Sequence, residues 1–166
     1  MAHTDRGPLL NTPATKQIMP RANNRLGAVY SALHRFWSAR HAAVTAGQGT
    51  VGTRRDAYSI VLFNGEATNV LVNDFTSSPD QLLNVVLGHR ASGWTNYTEA
   101  LQAGQALMKR HWSSERFETC SMLPCLVGLL ALTLTRTPVM IFLSDGECMI
   151  SDEKVQDVCR SAIPLG

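Results

Sequence analysis

Two residues in this chain have the type and setting to hold a hard cation. Asp145 follows a five-residue apolar run, Val139-Met140-Ile141-Phe142-Leu143, and precedes Gly146-Glu147. Such a run reads as a buried strand, with Ser144-Asp145-Gly146 turning a carboxylate out at the lip of a sheet. Thr95 lies in Gly93-Trp94-Thr95-Asn96, directly ahead of a stretch that carries Tyr97, Leu101 and Met108 at helical spacing. A hydroxyl at a helix start and a carboxylate at a strand end are oxygen donors of the kind Mg²⁺ takes, in near-octahedral geometry with several waters retained. Two protein donors are few for that ion. Asp74, Glu147 and Asp152 are further carboxylates, but nothing in their spacing ties them to the pair. By residue type alone, Thr95 and Asp145 read more simply as a helix cap and a turn-forming Asp.

The elements that would position this pair follow from periodicity. Leu26, Val29, Tyr30, Leu33, Phe36 and Trp37 recur at helical spacing, with Arg25, His34, Arg35 and Arg40 mostly off the stripe. An amphipathic helix is therefore expected over Arg25–Ala43. A Gly- and Thr-rich loop, Thr45–Thr53, ends it. Tyr58–Phe63 and Thr68–Val72 read as strands joined by Asn64-Gly65, a two-residue hairpin turn with positive φ at both positions. Ser78-Pro79-Asp80-Gln81 combines an N-cap, a Pro at N1 and a capping-box Gln, starting a short helix that stops near Gly88. Asn96, with Glu99 in the following turn, caps the next helix, which ends around Arg110 or His111. Ser151-Asp152 begins a last helix with Val155, Val158, Cys159 and Ala162 inward, stopped by Pro164. Residues 1–21, with Pro8, Pro13 and Pro20, read as an irregular leader. Helices alternating with strands, one of them nearly all apolar, indicate an α/β fold with helices on both faces of a sheet.

With Thr95 and Asp145 in this order among these elements, the chain resembles the von Willebrand factor type A domain, and most closely intracellular fungal members. In that family the metal-ion-dependent adhesion site joins three parts: an Asp-x-Ser-x-Ser turn after the first strand, a Thr on a second loop, and an Asp after the fourth strand. Thr95 matches the second and Asp145 the third. Arg25–Ala43 resembles the family's first helix and Tyr58–Val72 its second and third strands. The likeness runs from about Asn23 to Gly166 with one interruption. It implies a Rossmann-like central sheet with helices on both faces, and here a partial one over residues 22–166. No apolar strand precedes Arg25, with Lys16–Pro20 the sole candidate, and the Asp-x-Ser-x-Ser turn is missing. The sequence stops at Pro164-Leu165-Gly166, where a fifth strand would begin. The expectation is a domain lacking its first strand and its C-terminal third. The resemblance further implies a non-enzymatic protein-interaction domain with an incomplete metal site. Mg²⁺ would be held weakly, on the order of millimolar, and would receive an acidic side chain from an unknown protein partner. A non-functional fragment is the limiting case.

The interruption is Phe117–Arg136, which is 136 − 117 + 1 = 20 residues. Its centre, Thr119–Thr135, is apolar apart from small hydroxyl residues and holds Pro124 and Gly128. A membrane helix needs about 20 predominantly apolar residues. This run is shorter and carries a Pro, so a membrane-associated protein anchored through 119–135 is the alternative function, not the preferred one. A buried insert is a second reading. A third is an unspliced in-frame intron, since removing 117–136 joins Arg116 to Thr137 and leaves a short connection into the strand.

Other features narrow the function classes. A net charge of +2, with no run of more than two adjacent Lys or Arg, gives nucleic acid no footprint. No G-x-S-x-G elbow and no Cys–His pairing point to catalysis, so the chain is not read as an enzyme. Cys120, Cys125, Cys148 and Cys159 lack C-x-x-C spacing, and Met1–Arg6 lacks the apolar core of a signal peptide. Both suggest reduced thiols and a cytoplasmic location. Gly47-Gln48-Gly49-Thr50-Val51-Gly52 matches G-x-G-x-x-G, but a helix precedes it and a strand follows, the reverse of a dinucleotide loop. Asn96-Tyr97-Thr98 is a glycosylation sequon on a residue expected to cap a helix. Trp94, beside Thr95, is the aromatic side chain best placed to meet a ligand.

Overall fold

The computed structural model describes residues 4, 6–46, 56–112, 139–144 and 152–162. Within them the elements are α1 (Thr15–Ile18), α2 (Arg25–Ala46), β1 (Tyr58–Phe63), β2 (Ala67–Asp74), α3 (Pro79–Val86), α4 (Tyr97–Trp112) and α5 (Asp152–Ala162). The loop around Gly47–Gly52 and the interruption at 117–136 lie outside the described residues.

Helix α2 starts where Asn24 Oδ1 accepts the Gly27 N–H at 3.1 Å, satisfying an amide that has no partner within the helix. Its buried face is Leu26, Gly27, Tyr30, Ser31, His34 and Trp37, while Phe36 remains 45% exposed. The expected stripe is thus rotated toward Ser31 and His34, because the helix is covered by α1 and α3 as well as by the sheet.

The described residues of the leader hold one short helix, Thr15–Ile18, and are otherwise turns and irregular chain. Lys16–Ile18 is helical, not a strand, and Ile18 is fully buried beside Ala14 and Ala22. Side chains fold this segment on itself. The Thr15 hydroxyl donates to the Leu9 carbonyl at 2.7 Å, the Thr12 N–H to Thr15 Oγ1 at 3.0 Å, and the Leu9 N–H to Ser31 Oγ at 3.2 Å. Burying Ile18 contributes about 1.5–3 kcal/mol. Gly27 permits the approach, since a Cβ there would lie 1.7 Å from the Ala22 carbonyl oxygen.

Helix α3 forms as its sequence signals. The Gln81 N–H donates to Ser78 Oγ at 3.3 Å and the Ser78 N–H to Gln81 Oε1 at 2.7 Å. Leu82, Leu83 and Val86 are buried and complete a core with α1 and α2.

Strands β1 and β2 pair antiparallel, from Phe63↔Ala67 to Tyr58↔Asp74. β2 is two residues longer (8 − 6 = 2), and the excess is taken up by two register shifts. Asn73 has φ 49° there, and its N–H donates to Ser59 Oγ at 2.9 Å. The hairpin is present but its turn is not the one expected. Asn64-Gly65-Glu66 forms the connection, and neither Asn64 nor Gly65 has positive φ. The Asn64 side chain accepts the Glu66 N–H at 3.0 Å, so mirror-image turn geometry is not needed.

β1 gives Tyr58 and Ile60 to the α2–α3 core, whereas Phe63 meets Tyr97 of α4 with ring centroids 6.0 Å apart. An odd step along a pleated strand changes face, so helices flank both faces of the hairpin. The class is a mixed helix-and-strand fold, and among the described residues the sheet has two antiparallel strands.

Two expectations fail here. Val139–Leu143 is not a buried strand: it joins no ladder, and exposures run from 36% at Met140 to 78% at Val139. Apolar composition does not supply a pairing partner, and the run is held by ring contacts instead. Helix α5 packs against α4, but Val155 and Cys159 on its expected inner face are exposed and Val158 is half-buried. Among the described residues, no helix is long and apolar enough to cross a membrane.

Candidate functional site around Thr95

Thr95 is half-buried in the connection from α3 to α4, one residue before the α4 cap. The Asn96 side chain accepts the Glu99 N–H at 3.1 Å, as its sequence position predicts. The same residue ties the connection to the hairpin tip. Its N–H donates to the Asn64 carbonyl at 2.7 Å and its Nδ2 to the Gly65 carbonyl at 3.4 Å. Gly93 turns the chain into this contact with φ 77°. Gly65 lets the indole of Trp94 lie against the hairpin: a Cβ there would sit 2.8 Å from Trp94 Nε1. The outer part of Trp94 is open, and the residue is 68% exposed.

A second segment reaches the same place. The Tyr97 hydroxyl and Ser144 Oγ are hydrogen-bonded. Phe142 stacks on Phe63 with centroids 5.2 Å apart and meets Tyr97 edge-on at 5.4 Å. These contacts bring Ser144, the residue before Asp145, to the first turn of α4. Asp145 itself lies outside the described residues, as does Glu147.

Among the described residues, no three His, Cys, Asp or Glu side chains gather in one place. Asp74, a possible extra ligand, is already engaged. It accepts from the Ser77 hydroxyl at 2.7 Å, the Thr76 N–H at 2.8 Å, the Ser77 N–H at 2.9 Å and the Thr76 hydroxyl at 3.3 Å. Burial pushes its carboxyl up, but the bonds from Ser77 and Thr76 outweigh burial and hold it below the usual carboxylate range.

Two polar arrangements escaped the sequence. His34 Nε2 lies 2.9 Å from Asp80 Oδ1, joining α2 to the first turn of α3, with side chains 11% and 72% exposed. Local spacing could not show a pair separated by 46 positions. Farther along α2, Arg40 grips Asp56 by two bonds, Nε to Oδ2 at 2.6 Å and a terminal nitrogen to Oδ1 at 3.0 Å. The Tyr58 hydroxyl donates to Asp56 Oδ2 at 3.3 Å. Burial, and then the Asp56 charge, push the Tyr58 hydroxyl up to about 12. Trp37, Phe75 and Leu82 line the cleft beside this group, which encloses ≈ 30 Å³. That is far below the roughly 300 Å³ of a small-molecule site.

The chain matches no protein-family model and no curated protein, and its structure matches no solved structure.

Proposed function

We propose that this protein is a non-enzymatic protein-interaction domain of von Willebrand A type, on a partial Rossmann-like plan. Its cation site is incomplete, with Thr95 and Asp145 as the protein ligands. The observation that carries this reading is the Tyr97–Ser144 hydrogen bond. It brings the chain that leads into Asp145 to the helix start next to Thr95, at one end of the hairpin. One carboxylate and one hydroxyl leave most positions of a six-oxygen cation to water, so binding is weak, on the order of millimolar. An acidic side chain from a partner would supply a further charged oxygen.

Calorimetric titration with Mg²⁺ tests the reading. Little heat is expected below about 0.1 mM, with weak saturation above it that Asp145→Ala removes. Micromolar binding would contradict an incomplete site. Binding that survives Asp145→Ala would contradict the assignment of this residue.

A further inference from the structure

Asn64-Gly65 carries a chemistry of its own besides turn formation. An asparagine amide is open to attack by the main-chain nitrogen of the next residue, and glycine, with no Cβ, hinders that approach least. Asn64 is the one asparagine of the chain followed by glycine. The hairpin tip arranges the reacting atoms. The Glu66 N–H donates to Asn64 Oδ1 at 3.0 Å, closing a small ring that contains both the amide carbon and the Gly65 nitrogen. This donor is aimed at the oxygen on which negative charge develops during attack, a placement that stabilises an oxyanion. Among the described residues, the Gly65 nitrogen donates no hydrogen bond. The leaving nitrogen, Asn64 Nδ2, lies against Gly93, where a Cβ would stand 3.4 Å away. Glu66 is exposed, and Asn64 and Gly65 are half-buried, so water and hydroxide reach the tip.

We propose that Asn64 is a site of spontaneous deamidation, and that the reaction unfastens the hairpin tip from the α3–α4 connection. Hydroxide takes the Gly65 N–H proton, and the nitrogen forms a bond to Asn64 Cγ. The Cγ–Nδ2 bond breaks, and the amide nitrogen leaves as ammonia with a proton from water, which restores the hydroxide. Water then opens the cyclic imide at either carbonyl, giving aspartate or isoaspartate. In isoaspartate the main chain runs through Cβ and Cγ and is longer by a methylene group. The former Asn64 main-chain carbonyl becomes a free carboxylate close to Glu66. In the unmodified protein that carbonyl accepts the Asn96 N–H at 2.7 Å, and the Gly65 carbonyl accepts Asn96 Nδ2 at 3.4 Å. Both bonds, and the seat of Trp94 on Gly65, require the original main-chain path. Neither Mg²⁺ nor Asp145 takes part.

The test holds the ¹⁵N-labelled full chain in mildly alkaline buffer and measures released ammonia, the modified residue by mass spectrometry of its peptides, and the Trp94 indole N–H signal. The free peptide 60–68 is the comparison. Ammonia is read because Asp145-Gly146 can form the same imide by losing water, with no ammonia released. Asn64 should react ahead of every other asparagine, faster as hydroxide rises, and at least as fast as in the peptide. The Trp94 signal should shift in step with isoaspartate. Asn64→Ser keeps a side-chain acceptor for the Glu66 N–H but has no amide to lose. It should release no ammonia above the background of the other amides, and its Trp94 signal should stay constant over the same period. The proposal is overturned if the full chain reacts at Asn64 more slowly than the peptide, if another asparagine reacts first, or if the Trp94 signal ignores the modification.

Discussion

Replacing Gly27 by alanine should loosen the packing of residues 9–22 on α2, although the same change favours a helix elsewhere. Alanine is better than glycine in a helix by up to about 1 kcal/mol. At Gly27 the new Cβ would lie 1.7 Å from the Ala22 carbonyl oxygen and 3.0 Å from Pro8 Cγ. The first neighbour is backbone and cannot rotate away, so the turn between α1 and α2 must move. Overpacking of this kind costs about 1–3 kcal/mol, and if Ile18 is drawn out of the core a further 1.5–3 kcal/mol of burial is lost. The net expectation is a loss of about 2 kcal/mol or more. Gly104 is the internal comparison. It also lies in a helix, but its Cβ would meet only Met140 Cε at 2.9 Å, the free end of a flexible side chain. Gly104→Ala should be neutral or stabilising by up to about 1 kcal/mol. Amide exchange of Tyr30 and Leu83, or urea unfolding, would compare the two. If Gly27→Ala proved as stable as Gly104→Ala, the packing of α1 on α2 would be refuted.

Asn96→Ala removes the cap of α4 and the side-chain bond to the Gly65 carbonyl, leaves the backbone bond to Asn64, and should cost about 1 kcal/mol by urea unfolding. Asp80→Ala leaves the buried His34 ring without its partner and should cost about 1 kcal/mol, with the loss absent in a His34→Phe background. Asp74 contributes stability that depends on pH. Its folded carboxyl lies below its unfolded value, so the contribution is full above about pH 4 and fades as pH falls through the folded value. Wild type should therefore lose more stability than Asp74→Asn on acidification below about pH 4.

What could be read in advance was local. The α3 start is written in four adjacent residues, Ser78 to Gln81, and the α4 cap in Asn96, because each bond spans a single turn. The hairpin was legible as an alternation broken by Asn64-Gly65, but the turn type was not. Gly65 serves the approach of Trp94, 29 residues away (94 − 65 = 29), and not a positive φ. The burial of Ile18 and of His34 depends on partners on other elements, so helical spacing placed His34 off the stripe and residues 1–21 outside the core. For Val139–Leu143, an apolar run signalled a strand, but a ladder needs a neighbour, and the run is held here by Phe63, Tyr97 and the Ser144 hydroxyl. Beside Thr95, the Asn96 cap was legible from residue order, and the hairpin tip it is bonded to was not.

The most direct test of the central claim is Mg²⁺ titration of the ¹⁵N-labelled full chain, followed at the amides of Thr95 and Asp145. Both amides should move along one saturable curve with Kd on the order of millimolar, and Asp145→Ala should flatten the curve at Thr95. Saturation in the micromolar range, or a response at one residue without the other, would contradict it.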